Sequence, residues 1–468
     1  MGMKKVGIVL SVFLCLWAEA VKSQYIVLHN FNHTDGAGPT GDVTLVGGSL
    51  YGMTDSGGTY NKGCVFSMDT NGSNYKVLFN FDSINGAWPS GSLVHHAGLL
   101  YGMASLGGAY KNGCVFSIDT NGNRYREMLD FNGTNGSQPF GSLIYFSGKL
   151  YGMTYFGGRD NQGCVFSMDT NGSEYADILD FNGINGAWPM GSLIISGKVL
   201  YGMTGETGMY GNIFSVDTDG NAYKDLYDFP NASNKSGNDF PYGSLTLSGN
   251  KLYGMTSKGD NFPYVGNIFS IDTNGNDYKD MFDFDLDDGA SPYGSLSLSG
   301  NTLYGMTFAE GLNSQGNIFS IDTNGSGFRD LFDFSHSTGG DPWGDVALSG
   351  NMLYGMTSSG GTDNAGVIFK FNYVTAGVNN ITAKKGKISV YPNPNNGNVT
   401  VQVNIGQPEN VEFTLYNLLG EPVYSDMENE PTGTINKHIS LSSLPNGEYI
   451  LQVIADGNVY HTKITKLQ

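Results

Sequence analysis

Short apolar and aromatic runs alternate along this chain with breaks rich in glycine, asparagine and serine. Beyond the extreme N-terminus no long stretch shows helical apolar periodicity. The runs themselves recur. Leu-Tyr-Gly-Met appears seven times, with its tyrosine at 51, 101, 151, 201, 253, 304 and 354, and Pro-x-Gly appears seven times, with its proline at 39, 89, 139, 189, 241, 292 and 342. One unit holds four strand-like runs: A (Gly91 to His96), B (Leu99 to Ser105), C (Cys114 to Asp119) and D (Tyr125 to Phe131). Ala97-Gly98 joins A to B, and Asp119-Thr120-Asn121-Gly122 joins C to D, with Asn and Gly suited to the positive φ of a hairpin turn. Four antiparallel strands in such a repeat make one propeller blade.

The ends decide between an open array and a ring. Tyr25 to Phe31 matches strand D of the other copies, while the last copy offers A (Gly344 to Leu348), B (Met352 to Thr357) and C (Val367 to Phe371) and stops without D. Pairing these halves would remove the exposed sheet edges. The pattern therefore predicts an all-β chain: a seven-bladed β-propeller over 21–373, closed by the N-terminal strand, then a linker at 374–387 and a small Ig-like β-sandwich over 388–468.

Composition agrees, with Gly 69, Tyr 28 and Phe 27 against 14% charged residues. Residues 1–20 read as a signal peptide: Lys4 and Lys5, an apolar run from Val6 to Trp17, then Ala18-Glu19-Ala20. The run is shorter than the roughly 20 residues of a membrane span. Removing it takes the formal charge from -19 to -20, which disfavours nucleic acid and anionic membranes. Cys64, Cys114 and Cys164 occupy equivalent places in successive repeats and read as structural thiols, not as a disulfide framework. No metal or cofactor motif stands out, and the Asp-Thr-Asn-Gly turns read as Asx turns, with too few carboxylates for calcium.

The phrases Leu-Tyr-Gly-Met-Thr, Gly-Gly, Val-Phe-Ser-x-Asp-x-x-Gly and Asp-Phe resemble the GloVer tandem repeats of secreted bacterial proteins, over about residues 25 to 372. The resemblance implies a repeat architecture and no particular activity. More loosely, Gly57-Gly58, Gly107-Gly108 and Gly157-Gly158 are similar to the glycine pairs of kelch blades. Near the C-terminus, Tyr391-Pro392-Asn393-Pro394 with Gly397, then Gly420, Gly447, Tyr449 and the basic Lys463 resemble the type A sorting domain of the type IX secretion system. That resemblance implies export across the outer membrane by the type IX machinery, then release or surface attachment.

Strand order puts the BC and DA loops on one face. They vary among copies while the AB and CD turns do not, which makes that face the place to look for recognition. Its aromatics flank the Pro-x-Gly proline, and Trp88, Phe140, Trp188, Tyr242, Tyr293 and Trp343 are candidate ligand-binding residues, flat platforms for sugar rings or packing between blades. No catalytic constellation accompanies His95 and His96 on strand A. The first reading is a monomeric secreted or surface-anchored binding module for carbohydrate or another surface polymer. The alternatives are a glycan hydrolase or lyase with acidic residues at the channel mouth, and a structural surface-layer protein.

Overall fold

The computed structural model describes residues 25–205, 211–229, 240–258, 265–373, 388–405, 411–417, 422–428, 433–455 and 458–467. The expected signal peptide and linker, Gly420 and most of the longest DA loop lie outside them. The chain divides into two compact units, Met1–Tyr373 and Val374–Gln468.

In the first unit the described residues form seven four-stranded antiparallel sheets. The representative sheet runs Val94–His96, Leu99–Ala104, Cys114–Asp119 and Arg126–Asp130 in chain order. Ala97 and Gly98 take φ of 50° and 80°, so a type I′ turn makes the inner hairpin. At the other hairpin the Asp119 carboxylate accepts the amides of Asn121 and Asn123 at 3.0 and 2.8 Å, so this aspartate serves its own turn. The inner strand is three residues, shorter than the run from Gly91, and Ser92 bonds to the neighbouring blades instead, its N–H to Ser142 Oγ and its hydroxyl to Asp42 Oδ2.

Blades pack through a repeated aromatic pair. The phenylalanine that ends each outer strand meets the strand C phenylalanine of the next blade edge-on, as in Phe81–Phe116 at 5.3 Å and Phe131–Phe166 at 5.3 Å. All four rings are fully buried. Glycine in strand B is required by the same packing: a Cβ on Gly102 would stand 2.6 Å from the Phe116 ring. The odd thiols also find a structural role. Cys64 and Cys164 each lie 3.3 Å from the strand B threonine hydroxyl, and at the equivalent place Asn212 and Asn317 accept from Thr204 and Thr307 at 2.7 and 2.8 Å.

The outer strand at the seam is built like that of every other blade. Tyr25–Asn30 pairs antiparallel with Val367–Asn372, with a bulge between Val27 and His29 that matches the bulge between Val115 and Phe116. Tyr25 stacks on Phe332 at 4.1 Å as Tyr125 stacks on Phe79 at 3.8 Å. Phe31 meets Phe66 at 5.5 Å, and Phe334 meets Phe369 at 5.4 Å. The outer strand from one end of the chain thus completes the sheet begun at the other, leaving no inter-blade edge open.

The second unit has a three-stranded sheet (Ile388–Tyr391, Asn398–Ile405, Gly433–Ser440) and a four-stranded one (Pro422–Glu428, Val411–Tyr416, Gly447–Ala455, Asn458–Lys466). Alternate residues Val399, Val401 and Val403 of the first sheet pack with Phe413, Leu415, Leu451 and Val453 of the second, which is sandwich geometry.

Candidate functional site

The glycine of Pro-x-Gly marks the axis. A Cβ on Gly41, Gly91, Gly141, Gly191, Gly243 or Gly294 would collide with the backbone carbonyl of the next glycine in that series, and one on Gly344 would stand 2.6 Å from the carbonyl oxygen of Gly41. Seven glycines therefore form a closed ring in which no side chain fits. The proline seats each motif against the preceding blade: Pro89, Pro139 and Pro189 pack on Gly63, Gly113 and Gly163.

One residue beyond, a second ring is made by side chains. Asp42, Ser92, Ser142, Ser192 and Ser244 each donate a backbone N–H to the Oγ of the following motif's serine at 2.7–2.8 Å. At the seam the pattern changes. Asp345 donates its N–H to Asp42 Oδ1 at 2.6 Å, and Ser92 donates its hydroxyl to Asp42 Oδ2 at 2.8 Å. Burial, then the charge and hydrogen bond of Asp42, hold the Asp345 carboxyl well above the ordinary range.

One residue before the glycine ring, the variable x residues of all seven motifs line a cavity of about 290 Å³: Thr40, Ser90, Phe140, Met190, Tyr242, Tyr293 and Trp343, with Asp55 as the eighth. The wall is divided. Tyr242 meets Tyr293 at 4.8 Å, and Tyr293 stacks on Trp343 at 4.5 Å, backed by Phe308 at 5.2 Å from Trp343. Two hydroxyls and the Asp55 carboxylate make the polar part. Burial pushes Asp55 up to about 6, with no hydrogen-bond donor among the described residues to oppose it.

Four of the six sequence-derived candidates, Phe140, Tyr242, Tyr293 and Trp343, come together in this axial pocket. Trp188 lies beside it in a smaller cavity of about 150 Å³ with Tyr155, Met190, Phe240 and Tyr242. Its indole Nε1 is buried with no hydrogen-bond partner among the described residues. Trp88 stands apart in a cavity of about 590 Å³ with Ile84, Leu106 and Lys111, its ring covered by the Lys62 ammonium at 4.3 Å. The residue before the proline sits at φ near 52° in both tryptophans. That left-handed backbone distinguishes it from the x residue two places on. Asp55, Asp42 and Asp345 were absent from the candidates, although each breaks its repeat. Position 55 is Ser105, Tyr155, Gly205, Ser257, Phe308 and Ser358 elsewhere, and positions 42 and 345 are serine in the other five copies. His96 stacks on Tyr145 of the next blade at 3.8 Å, and His95 is exposed.

In the C-terminal unit the candidate sorting residues are partly structural. Asn393 donates to the Lys463 carbonyl at 2.6 Å and accepts the Thr465 amide at 2.8 Å, tying the Tyr391–Pro394 segment to the last strand. Tyr449 is buried and donates to the Pro445 carbonyl at 2.6 Å. Gly397 and Gly447 take φ of 113° and 152°, and Tyr391 is exposed.

The family described as the Gloeobacter/Verrucomicrobia repeat matches residues 17–150, 125–297 and 205–404, and the secretion system C-terminal sorting domain matches residues 389–466. No curated protein matches the chain. Among solved structures, a Mycobacterium tuberculosis puromycin-hydrolyzing peptidase is 10% identical at a TM-score of 0.48, covering 82% of this chain, which spans 62% of that peptidase. An oligogalacturonate lyase in complex with manganese is 11% identical at 0.46, covering 74% of this chain and 92% of its own. A puromycin hydrolase is 8% identical at 0.49, with coverages of 80% and 60%. Likenesses this distant transfer neither activity nor ligand. The matched repeats and the matched tail agree with the ring and the sandwich: the chain belongs to the Gloeobacter/Verrucomicrobia repeat family and carries a type IX sorting domain that directs it to the cell exterior or the outer-membrane surface.

Proposed function

We propose that this protein is a surface or secreted binding module whose axial pocket takes carbohydrate or a related surface polymer. The observation that carries the reading is the composition of the pocket wall. Every x residue of the Pro-x-Gly motifs faces the same cavity, yet these are the residues the repeat leaves free to vary, from Thr40 and Ser90 to Tyr293 and Trp343. A purely structural surface-layer ring would have no use for a divided aromatic and polar wall at its axis. Aromatic faces with a few fixed polar groups suit a sugar ring, and the volume lies at the small end for ligand sites, about 300 Å³.

The hydrolase or lyase reading is weaker on the same wall. Glycoside hydrolysis uses two carboxyl groups flanking one bond, and Asp55 is the single acid among the described lining residues. Glycan-array screening of the full chain tests the proposal. Binding that is reduced at least about tenfold by Trp343→Ala supports it; a chain that retains every glycan contact after that change, or that binds none, refutes it.

A further inference from the structure

Asp55 stands where three other repeats carry serine, and two of those serines hold the loop. Ser105 donates its hydroxyl to the Trp88 carbonyl at 2.6 Å, and Ser358 donates to the Asp341 carbonyl at 2.7 Å. An ionised carboxylate cannot make that bond, since it only accepts. Aspartate at this position therefore gives up a local hydrogen bond and leaves a largely enclosed carboxylate facing a cavity. Among the described lining residues there is no Lys or Arg to neutralise it. Such a group costs stability in the empty protein and is satisfied only when something enters.

What would enter can be argued from the rest of the wall. Tyr242, Tyr293, Trp343 and Phe140 present aromatic rings, and Met190 adds a polarizable thioether. Aromatic faces favour a cation over a neutral or anionic group. The chain's formal charge of -19 enriches cations at its surface and repels acidic glycans. Resting on the carbohydrate reading above, we infer that the axial pocket selects a saccharide bearing a free primary ammonium group, with the ammonium on Asp55 and the sugar ring against the Tyr293–Trp343 pair. The Thr40 and Ser90 hydroxyls donate to the Ser90 and Trp88 carbonyls, which leaves their oxygen lone pairs to accept from sugar hydroxyls.

The test is isothermal titration calorimetry of the full chain with the glucosamine tetramer and with its N-acetylated counterpart at pH 6.5, where the Asp55 carboxyl, pushed up to about 6, is mostly ionised and the sugar amines are still substantially protonated. The amine tetramer is expected to bind at least about tenfold more tightly, since a charge-assisted bond is worth about 1.5–3 kcal/mol. Asp55→Asn should abolish that preference, so that the two tetramers bind alike, while Trp343→Ala should weaken both. Asp55→Ser, which restores the local bond, is a second variant expected to behave like Asp55→Asn and to unfold no earlier than the parent. Equal binding of the two tetramers, or an amine preference that survives both Asp55 changes, overturns the ammonium assignment and leaves the carbohydrate reading standing. Binding of neither tetramer also overturns the assignment, and the glycan array then decides the carbohydrate reading separately.

Discussion

Replacing Gly141 by alanine adds one methyl group at the axis, where the ring leaves no room for it. The new Cβ would stand 2.7 Å from the Gly191 carbonyl carbon and closer still to its oxygen, while ordinary contact begins near 3.4 Å. Gly141 does not have a left-handed φ, so backbone preference is not at issue and the effect isolates the close approach between blades. The atoms in the way are backbone, which cannot rotate aside, so the cost belongs at the upper end for overpacking, about 3 kcal/mol. At ~2.1 cal/mol/K per residue over roughly 350 residues, that lowers the calorimetric midpoint by about 4 °C. Gly48→Ala is the control: nothing lies within 4 Å of its Cβ and its φ is not left-handed, so it should be neutral or stabilising by about 0.4–1 kcal/mol. Differential scanning calorimetry of both variants decides the matter. A Gly141→Ala protein as stable as Gly48→Ala would refute the axial glycine ring.

Other expectations follow from the same structure. Burial pushes Glu127 and Asp330 up to about 7, and Asp177 and Asp280 up to about 6, each hydrogen-bonded to a second acid on its outer strand. Because these folded values exceed the unfolded ones, their stabilising contribution is full below about pH 4 and is lost as pH rises through 6–7; His29, which burial lowers, acts in the opposite direction. The midpoint should therefore be higher at pH 5 than at pH 8, and a midpoint that climbs with pH would refute this; Asp345→Ser should raise it at pH 8 by removing the buried acid from the serine ring, and a variant midpoint at or below the parent's would refute that. Cys64 and Cys164 are buried, with thiols pushed up to about 12, so iodoacetamide at pH 8 should leave them unmodified until the chain is denatured, as mass spectrometry would show. Deleting residues 25–31 exposes the edge at Val367–Asn372, and size-exclusion chromatography should show dimers or aggregates in place of the parent species.

Much of the ring is written in the repeat. Tyr25 to Phe31 could be matched to its missing partner because aromatic and apolar spacing is preserved in the orphan strand, whereas the reason for the glycine of Pro-x-Gly, a place where a side chain is forbidden, shows only once the blades meet at the axis. The site was only half legible. Aromatics on both sides of each proline look alike in sequence, but the backbone before the proline is left-handed, which leaves Trp88 apart while Trp343 reaches the axis. Asp55 carries no recurring signal, being the single copy that departs from the pattern with an acid. Its signal was present as a charged residue where Ser105 and Ser358 stand in other copies. The Asp42–Asp345 pair was hidden for a different reason, since the two residues meet only when the ends of the chain close.

The most direct test of a ligand site at the axis uses the tryptophans themselves. Of the four, Trp343 lines the axial pocket, Trp188 lies beside it, Trp88 is apart, and Trp17 belongs to the N-terminal segment. Titrating a binding saccharide while recording intrinsic fluorescence should give a saturable change that disappears in Trp343→Phe and persists in Trp88→Phe. A change that survives in Trp343→Phe and vanishes in Trp88→Phe would contradict the account and move the site to the periphery of the blades.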